Sequence, residues 1–389
     1  MSPLDLPAPA PFPIITLHPI SDAQQRWVGI VLQAEHPLDN TALAHIFSHR
    51  DKTNTKASTN EKTLGNMLGA LSCVIEIDLA SLDLALLELA LQGLAPADLP
   101  TQQIVLKFAL EEAISPDLQT KLTALHSAGF RLLATGAFAD SFVDSSAGSF
   151  APMQSQSGPL SPPTAAAATQ TNAKNKSNAS SNGLLLKLLS LVTADADSAD
   201  IEAIIKRDPN LSYQLLKLVN SVSFGSANKI TNFSQAIALL GRRQLQRWLQ
   251  LLLYAQSQGN AAANPLLPRA AQRAGLMEAL ARHIGLSHEQ QDHAFMIGMF
   301  SLLESLFGIP LAEIITPLNL AEEVNLALLN QSGPLGNLLN LVNLSEQPPS
   351  ANHTAQLAQT LAALHITHRD WVSVVIEGAR WAVQVSKEA

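Results

Sequence analysis

Between about Asp144 and Asn182 the chain changes character, and this break limits its fold more than any other feature. The stretch SQSGPLSPPTAAAATQTNAKNKSNASSNG is built largely from Ser, Ala, Gln, Asn and Pro. It has no apolar periodicity and would bury too little surface to offset the entropy of ordering it. It reads as a flexible linker. The 389 residues leave room for two domains of roughly 100–200 residues each. The linker over 144–182 therefore separates a domain at 1–143 from one at 183–389.

The two sides follow different periods. Before the linker, Ile14–Leu17, Trp27–Leu32, Cys73–Ile77, Ile104–Phe108 and Arg131–Ala134 are short apolar runs of strand character. Helical patterns lie between them at Thr41–Phe47, Leu82–Gln92 and Asp117–Ala128, with Gly129 as a stop. Alternation of this kind predicts a parallel sheet with crossover helices.

After the linker only the helical period remains. Leu184–Val192 has a continuous apolar face, and Asp197 or Ser198 can cap the helix holding Ile201, Ile204 and Ile205. Asp208 is an N-cap with Pro209 at the first helical position, followed by Leu211, Leu215, Leu216 and Val219. Asn220 and Ser221 can bond the backbone groups left at that helix's end, Phe224 can plug the core, and Gly225 can take a positive φ. Thr231 can cap a helix holding Ala236, Ile237 and Leu240. Gly241 ends it, and Leu245, Trp248, Leu249 and Leu252 follow on a new one. Ser287 with Gln290 fits a capping box before the apolar region Phe295–Phe307.

Composition excludes several functions. The net charge of −8 argues against nucleic acid as a partner, since phosphate binding rests on Lys and Arg displacing counterions. Arg242, Arg243, Arg247 and Trp248 then read as a solvated face or a protein-docking surface. Cys73 is the single cysteine, so no intrachain disulfide forms; it reads as a buried, inert thiol in a reducing compartment. The N-terminus MSPLDLPAPAPFP lacks the basic residue and apolar core of a secretory signal. No run reaches the roughly 18 apolar residues of a membrane span, which predicts a soluble, cytoplasmic protein. His283, His288 and His293 are five apart, so on a helix they face apart and read as surface or capping groups rather than metal ligands. Asp195, Asp197 and Asp200 read as capping and dipole residues, because EF-hand spacing is missing.

From Leu184 to Leu253 the motifs LLLKLLSLV, IEAIIKRDPNLSYQLLKLVNSVSFG and ITNFSQAIALLGRRQLQRWL, in that order, resemble the HDOD domain, a helical relative of the HD metal-dependent phosphohydrolases. The resemblance continues through AFMIGMFSLLESLFGIP and LALLNQSGPLGNLLNLV. It implies an all-α domain used for protein interaction or signal output, with other signalling proteins as partners. HD enzymes bind metal through His and Asp, including an adjacent His–Asp pair. On the helix similar to the one that carries that pair, this chain has Ser301 and Leu302, neither of which replaces those ligands for a hard cation.

The N-terminal stretches IITLHPISDAQQRWVGIVL and LPTQQIVLKFALEEAISPDLQTKLTALHSAGFRLLATGAF resemble a shortened, degenerate EAL domain, the barrel that hydrolyses cyclic di-GMP. A complete eight-fold barrel needs at least about 200 residues, so a partial barrel or open α/β layer is expected. The family's metal-binding acids are replaced: Val31 stands for the name-giving Glu, Lys107 for a second Glu, and Thr135 and Gly136 lie where paired Asp residues would fall. The two resemblances together imply a multi-domain chain, a truncated EAL-type α/β domain followed by an all-α HDOD domain. They imply no catalytic residue, no metal and no cofactor, and cyclic di-GMP binding is not expected.

Overall fold

A computed structural model describes residues 12–21, 27–47, 68, 71–80, 82–85, 87, 100–110, 115–135, 175–206, 211, 215, 233–255, 266–347 and 350–388. The expected features at Asp208, Pro209, Asn220, Ser221, Phe224, Gly225, Thr231 and Gly136, and most of Leu82–Gln92, lie outside the described residues.

The chain forms two compact units. One comprises Met1–Asp22, Trp27–Gly158 and Asn343–Gln384; the other comprises Ala23–Arg26, Pro159–Val342 and Val385–Ala389. The helices after Val342 thus group with the N-terminal sheet, not with the helices they follow in sequence.

The first unit holds five strands: β1 (Thr16–Ser21), β2 (Trp27–Gln33), β3 (Ser72–Glu76), β4 (Ile104–Ala109) and β5 (Arg131–Thr135). They pair in the order β1-β2-β3-β4-β5 as an open sheet. All neighbours are parallel except β1 and β2. The antiparallel pair departs from the all-parallel expectation for a geometric reason. Only five residues separate these two strands, and a parallel return needs a crossover of a dozen or more. The first strand also starts at Thr16, later than the expected run Ile14–Leu17.

Helix α1 (Asn40–Phe47) links β2 to β3, and α2 (Pro116–Ser127) links β4 to β5. Asp39 Oδ1 caps α1 by accepting from Ala42 N at 2.8 Å. Ser115 caps α2, Pro116 takes its first position, and Gly129 ends it at φ 91°. The register places Leu17, Ile30, Leu32, Cys73, Ile75, Leu106, Phe108 and Leu132 on a common face, all buried. Burial raises the Cys73 thiol to about 12, so it stays protonated and inert, as expected.

The same unit contains α12 (Ala351–Ala363) and, as far as Gln384, α13 (His368–Glu388). Thr367 and Asp370 cap α13 reciprocally, Thr367 Oγ1 donating to Asp370 Oδ2 at 2.6 Å and accepting from Asp370 N at 3.1 Å. Val372, Val375, Ile376, Ala379 and Val383 then recur at helical spacing and are buried.

The second unit is helical. Its elements are α3 (Asn175–Thr193), α4 (Ser198–Ile205), α5 (Phe233–Ala255), α6 (Leu266–His283), α7 (His288–Phe300), α8 (Leu303–Phe307), α9 (Leu311–Ile315) and α10 (Glu322–Asn330), and α11 (Gly333–Ser345) follows. Helix α3 begins at Asn175, inside the segment expected as linker. The apolar face at Leu185, Leu188, Leu189 and Val192 is buried, and once a helix is nucleated each added residue needs only one more hydrogen bond. Gly241, at φ 73° and ψ 161°, interrupts α5 with a kink rather than a full stop; that conformation is essentially restricted to glycine. The Ser287–Gln290 capping box forms as expected. Asp197 sits at the N-cap of α4 but makes no side-chain cap bond. Asp195 instead pairs with Arg242. Among the described residues no single helix is long and apolar enough to cross a membrane.

One histidine gives the sheet unit a pH dependence. His45 on α1 donates from Nε2 to the Arg369 carbonyl of α13. Burial holds its pKa below the ordinary 6.5; the Arg369 carbonyl opposes this, the Arg369 charge adds to it, and Asp370 opposes it. The unfolded chain therefore takes up a proton that the folded one resists. The stability from His45 is present in full above pH 6.5 and is lost as pH falls through the lowered folded value. Urea melts between pH 7.5 and 5 should show this decline, and His45→Gln should flatten it; an unchanged slope would contradict the assignment.

Candidate functional site

In the helical unit, α6 and α7 run in close contact. Gly298 makes this possible, since a Cβ there would lie 2.5 Å from the Cα of Ala274. The approach brings the buried Arg273 of α6 to the end of α7, where its Nη1 donates to Ser301 Oγ at 2.8 Å. Ser301 Oγ in turn donates to the Gly298 carbonyl at 2.8 Å. Leu302 is buried beside it. Tyr254 of α5 donates to the Met299 carbonyl, and burial pushes its phenol far above the usual range. The neighbourhood of Ser301 and Leu302 thus presents a hydroxyl held by a guanidinium, a phenol and aliphatic groups. Arginine has donors only, so this set suits an internal cation and does not suit a bound metal ion. Among the described residues no group of three or more His, Cys, Asp or Glu side chains could hold a metal.

A second polar centre lies where α5, α6 and α7 meet. Arg247 Nη2 contacts Glu278 Oε1 at 2.8 Å and Asp292 Oδ1 at 3.2 Å, and its guanidinium stacks 4.1 Å from the Phe295 ring centroid. Arg243 reaches the same two carboxylates, and Arg282 approaches Glu278 at 3.5 Å. The arginines expected as a solvated or docking face are therefore neutralised within the unit. The acidic partners of Arg243 and Arg247 sit on other helices, 31 and 45 residues away from Arg247, beyond what i,i+4 spacing can reveal. Of the three spaced histidines, His283 and His288 are exposed, whereas His293 pairs with Glu323 on α10.

In the sheet unit, the register sets Val31, Lys107 and Thr135 on one face, opposite the face that carries Cys73 and Phe108. Val31 and Leu133 pack against Ile20, Val74 and Val105. Lys107 Nζ pairs at 2.9 Å with Oε2 of Glu76, its direct neighbour on β3. Thr135 Oγ1 donates to the Phe108 carbonyl at 3.1 Å. This face therefore offers an apolar patch and a side chain that is itself a cation.

Residues 180–310 match the family model of the HDOD domain. Over 194 residues the chain is 30% identical to the cyclic di-GMP phosphodiesterase CdgJ of Vibrio cholerae, an overlap of 50% of this chain and 43% of that protein. It is 37% identical over 144 residues to the uncharacterized protein YuxH of Bacillus subtilis, covering 36% of this chain and 35% of the other. The chain thus spans less than half the length of the curated relatives it matches. No solved structure matches it.

The arginine network yields a stability prediction. Glu278→Ala leaves the largely buried Arg247 with a single carboxylate partner and should cost about 1–3 kcal/mol in denaturant melts. Arg243→Ala, at a half-exposed position, should cost about 1 kcal/mol or less. Equal effects would show that burial does not set the strength of this network.

Proposed function

We propose that this protein is a non-catalytic signalling protein that acts through protein–protein contact, with the HDOD region as its output module and a degenerate EAL-like layer as its N-terminal part. The observation that carries this reading is the pairing of Arg273 with Ser301 beside the buried Leu302. HD chemistry would need a metal-bound water held by His and Asp; these positions offer no such ligand and place a fixed positive charge alongside. The Lys107–Glu76 pair supports the same reading for the sheet: by the EAL likeness an ammonium takes a position where a two-metal site would need a carboxylate, and it engages the neighbouring Glu76. The EAL likeness itself rests on the sequence motifs.

A contact surface is available on the helical unit. A groove of about 520 Å³ has Leu186, Phe307, Ile309, Ile314 and Leu318 along it, with Lys187 and Glu313 at its sides. Ile309 is 46% exposed. Apolar side chains framed by opposite charges suit another signalling protein that presents an apolar segment with charges of both signs.

A second reading is favoured by one observation, the printed activity of the Vibrio cholerae relative. By that reading the chain would turn over cyclic di-GMP. Purified full-length protein with manganese or magnesium separates the two. We expect no hydrolysis of cyclic di-GMP, and capture of a protein partner that is lost in Ile309→Asp. Turnover that disappears on chelation would overturn the proposal, as would capture indifferent to the groove variant.

A further inference from the structure

The HDOD match ends at residue 310, and the stretch Asn343–Gln384, with α12 and most of α13, belongs to the sheet unit. What they do there is visible at the N-terminal edge of the sheet. Strand β1 is an edge strand, and the segment Phe12–Ile15 leads into it. Helix α13 takes hold of this segment. Trp371, fully buried, donates from Nε1 to the Ile15 carbonyl at 2.7 Å. His368 Nδ1 donates to the Phe12 carbonyl at 2.7 Å. The Arg369 guanidinium lies over the Phe12 ring at 5.4 Å, and that ring meets His45 edge-on. Helix α12 adds His353, Thr354 and Leu357 around a small cavity shared with Ile14, Thr16 and Gln33.

We propose that α12 and α13 are an intramolecular binding partner of the N-terminal sheet, and that this docking keeps the sheet and the HDOD region associated even when the Ser/Ala/Pro-rich segment between them is cut. The connectivity requires the contact to be strong. The sheet unit is assembled from two stretches more than 180 residues apart, with the HDOD region inserted between them. Joining such distant ends carries a loop-closure cost that grows only slowly with length, and a buried tryptophan with paired hydrogen bonds offsets it. Cutting the chain between residues 144 and 174 should therefore not release the HDOD region.

The test uses the full chain with a specific protease site placed at residue 160. After complete cleavage the two fragments should co-elute in gel filtration as one species. Trp371→Ala should weaken their association on the order of a hundredfold or more, so that the cleaved variant separates at low micromolar concentration. Circular dichroism before cleavage checks that the variant keeps its helices. Should Trp371→Ala not fold, His368→Ala with Arg369→Ala keeps the tryptophan and removes the polar hold; its cleaved fragments should part at lower urea than those of the parent. Separation of the parent fragments, or identical behaviour of the parent and the variants, would overturn the proposal.

Discussion

The contact at Gly298 governs the helical unit. With no side chain at this point, α7 lies against the backbone of α6, where a Cβ would fall 2.6 Å from both the amide nitrogen of Ala274 and the carbonyl carbon of Arg273. Two helices this close share one seam of side chains, and every polar group facing the seam must find a partner in it. Arg273 finds Ser301 at one end, and Glu278 finds Arg247 about one turn further along α6. The kink at Gly241 separates Phe233–Leu240 from the part of α5 that carries Arg243 and Arg247 to the same carboxylates. One small residue thus sets the spacing at which a guanidinium can take the place of other polar chemistry.

The two units place positive charge by the same means. Lys107 lies on the sheet face bearing Val31 and Thr135, and Arg273 lies beside Ser301 and Leu302. Each cation is covalently part of the chain and needs no ligand shell, only an acceptor. Glu76 serves one and the Ser301 hydroxyl the other. A side-chain cation polarises far less than a divalent ion and cannot deliver an activated water. Such sites hold their surroundings together.

Much of the fold is legible in the sequence because local signals carry it. Ser287 with Gln290 states a helix start, and Gly129 a helix end, that need no tertiary partner. The runs in β3 and β4 are apolar except at Ser72, Glu76 and Lys107, because most of their side chains are buried. The candidate site is less legible. Ser301 and Leu302 can be read as replacements, but Arg273 is an unremarkable arginine until α6 and α7 are packed, and the acids that neutralise Arg247 lie on two other helices. Helical spacing pairs residues within one helix and is blind to pairs between helices. The antiparallel β1 was open to inference from loop length alone, since the link to β2 is too short for any crossover.

The C-terminal helices show where periodicity stops informing. The pattern Val372, Val375, Ile376, Ala379, Val383 requires that α13 bury one side. It does not say against what. Proximity in sequence favours the preceding helical bundle, because neighbouring elements usually pack together. The groups that decide otherwise are polar and lie in the first turn: His368 and Trp371 are donors, and the backbone carbonyls of Phe12 and Ile15 are acceptors at the entry to an edge strand. An unpaired carbonyl at a covered sheet edge costs more than a typical hydrogen bond contributes, so the helix that brings two matched donors is held there. The amphipathic stripe supplies the affinity, and two side-chain N–H groups select the partner.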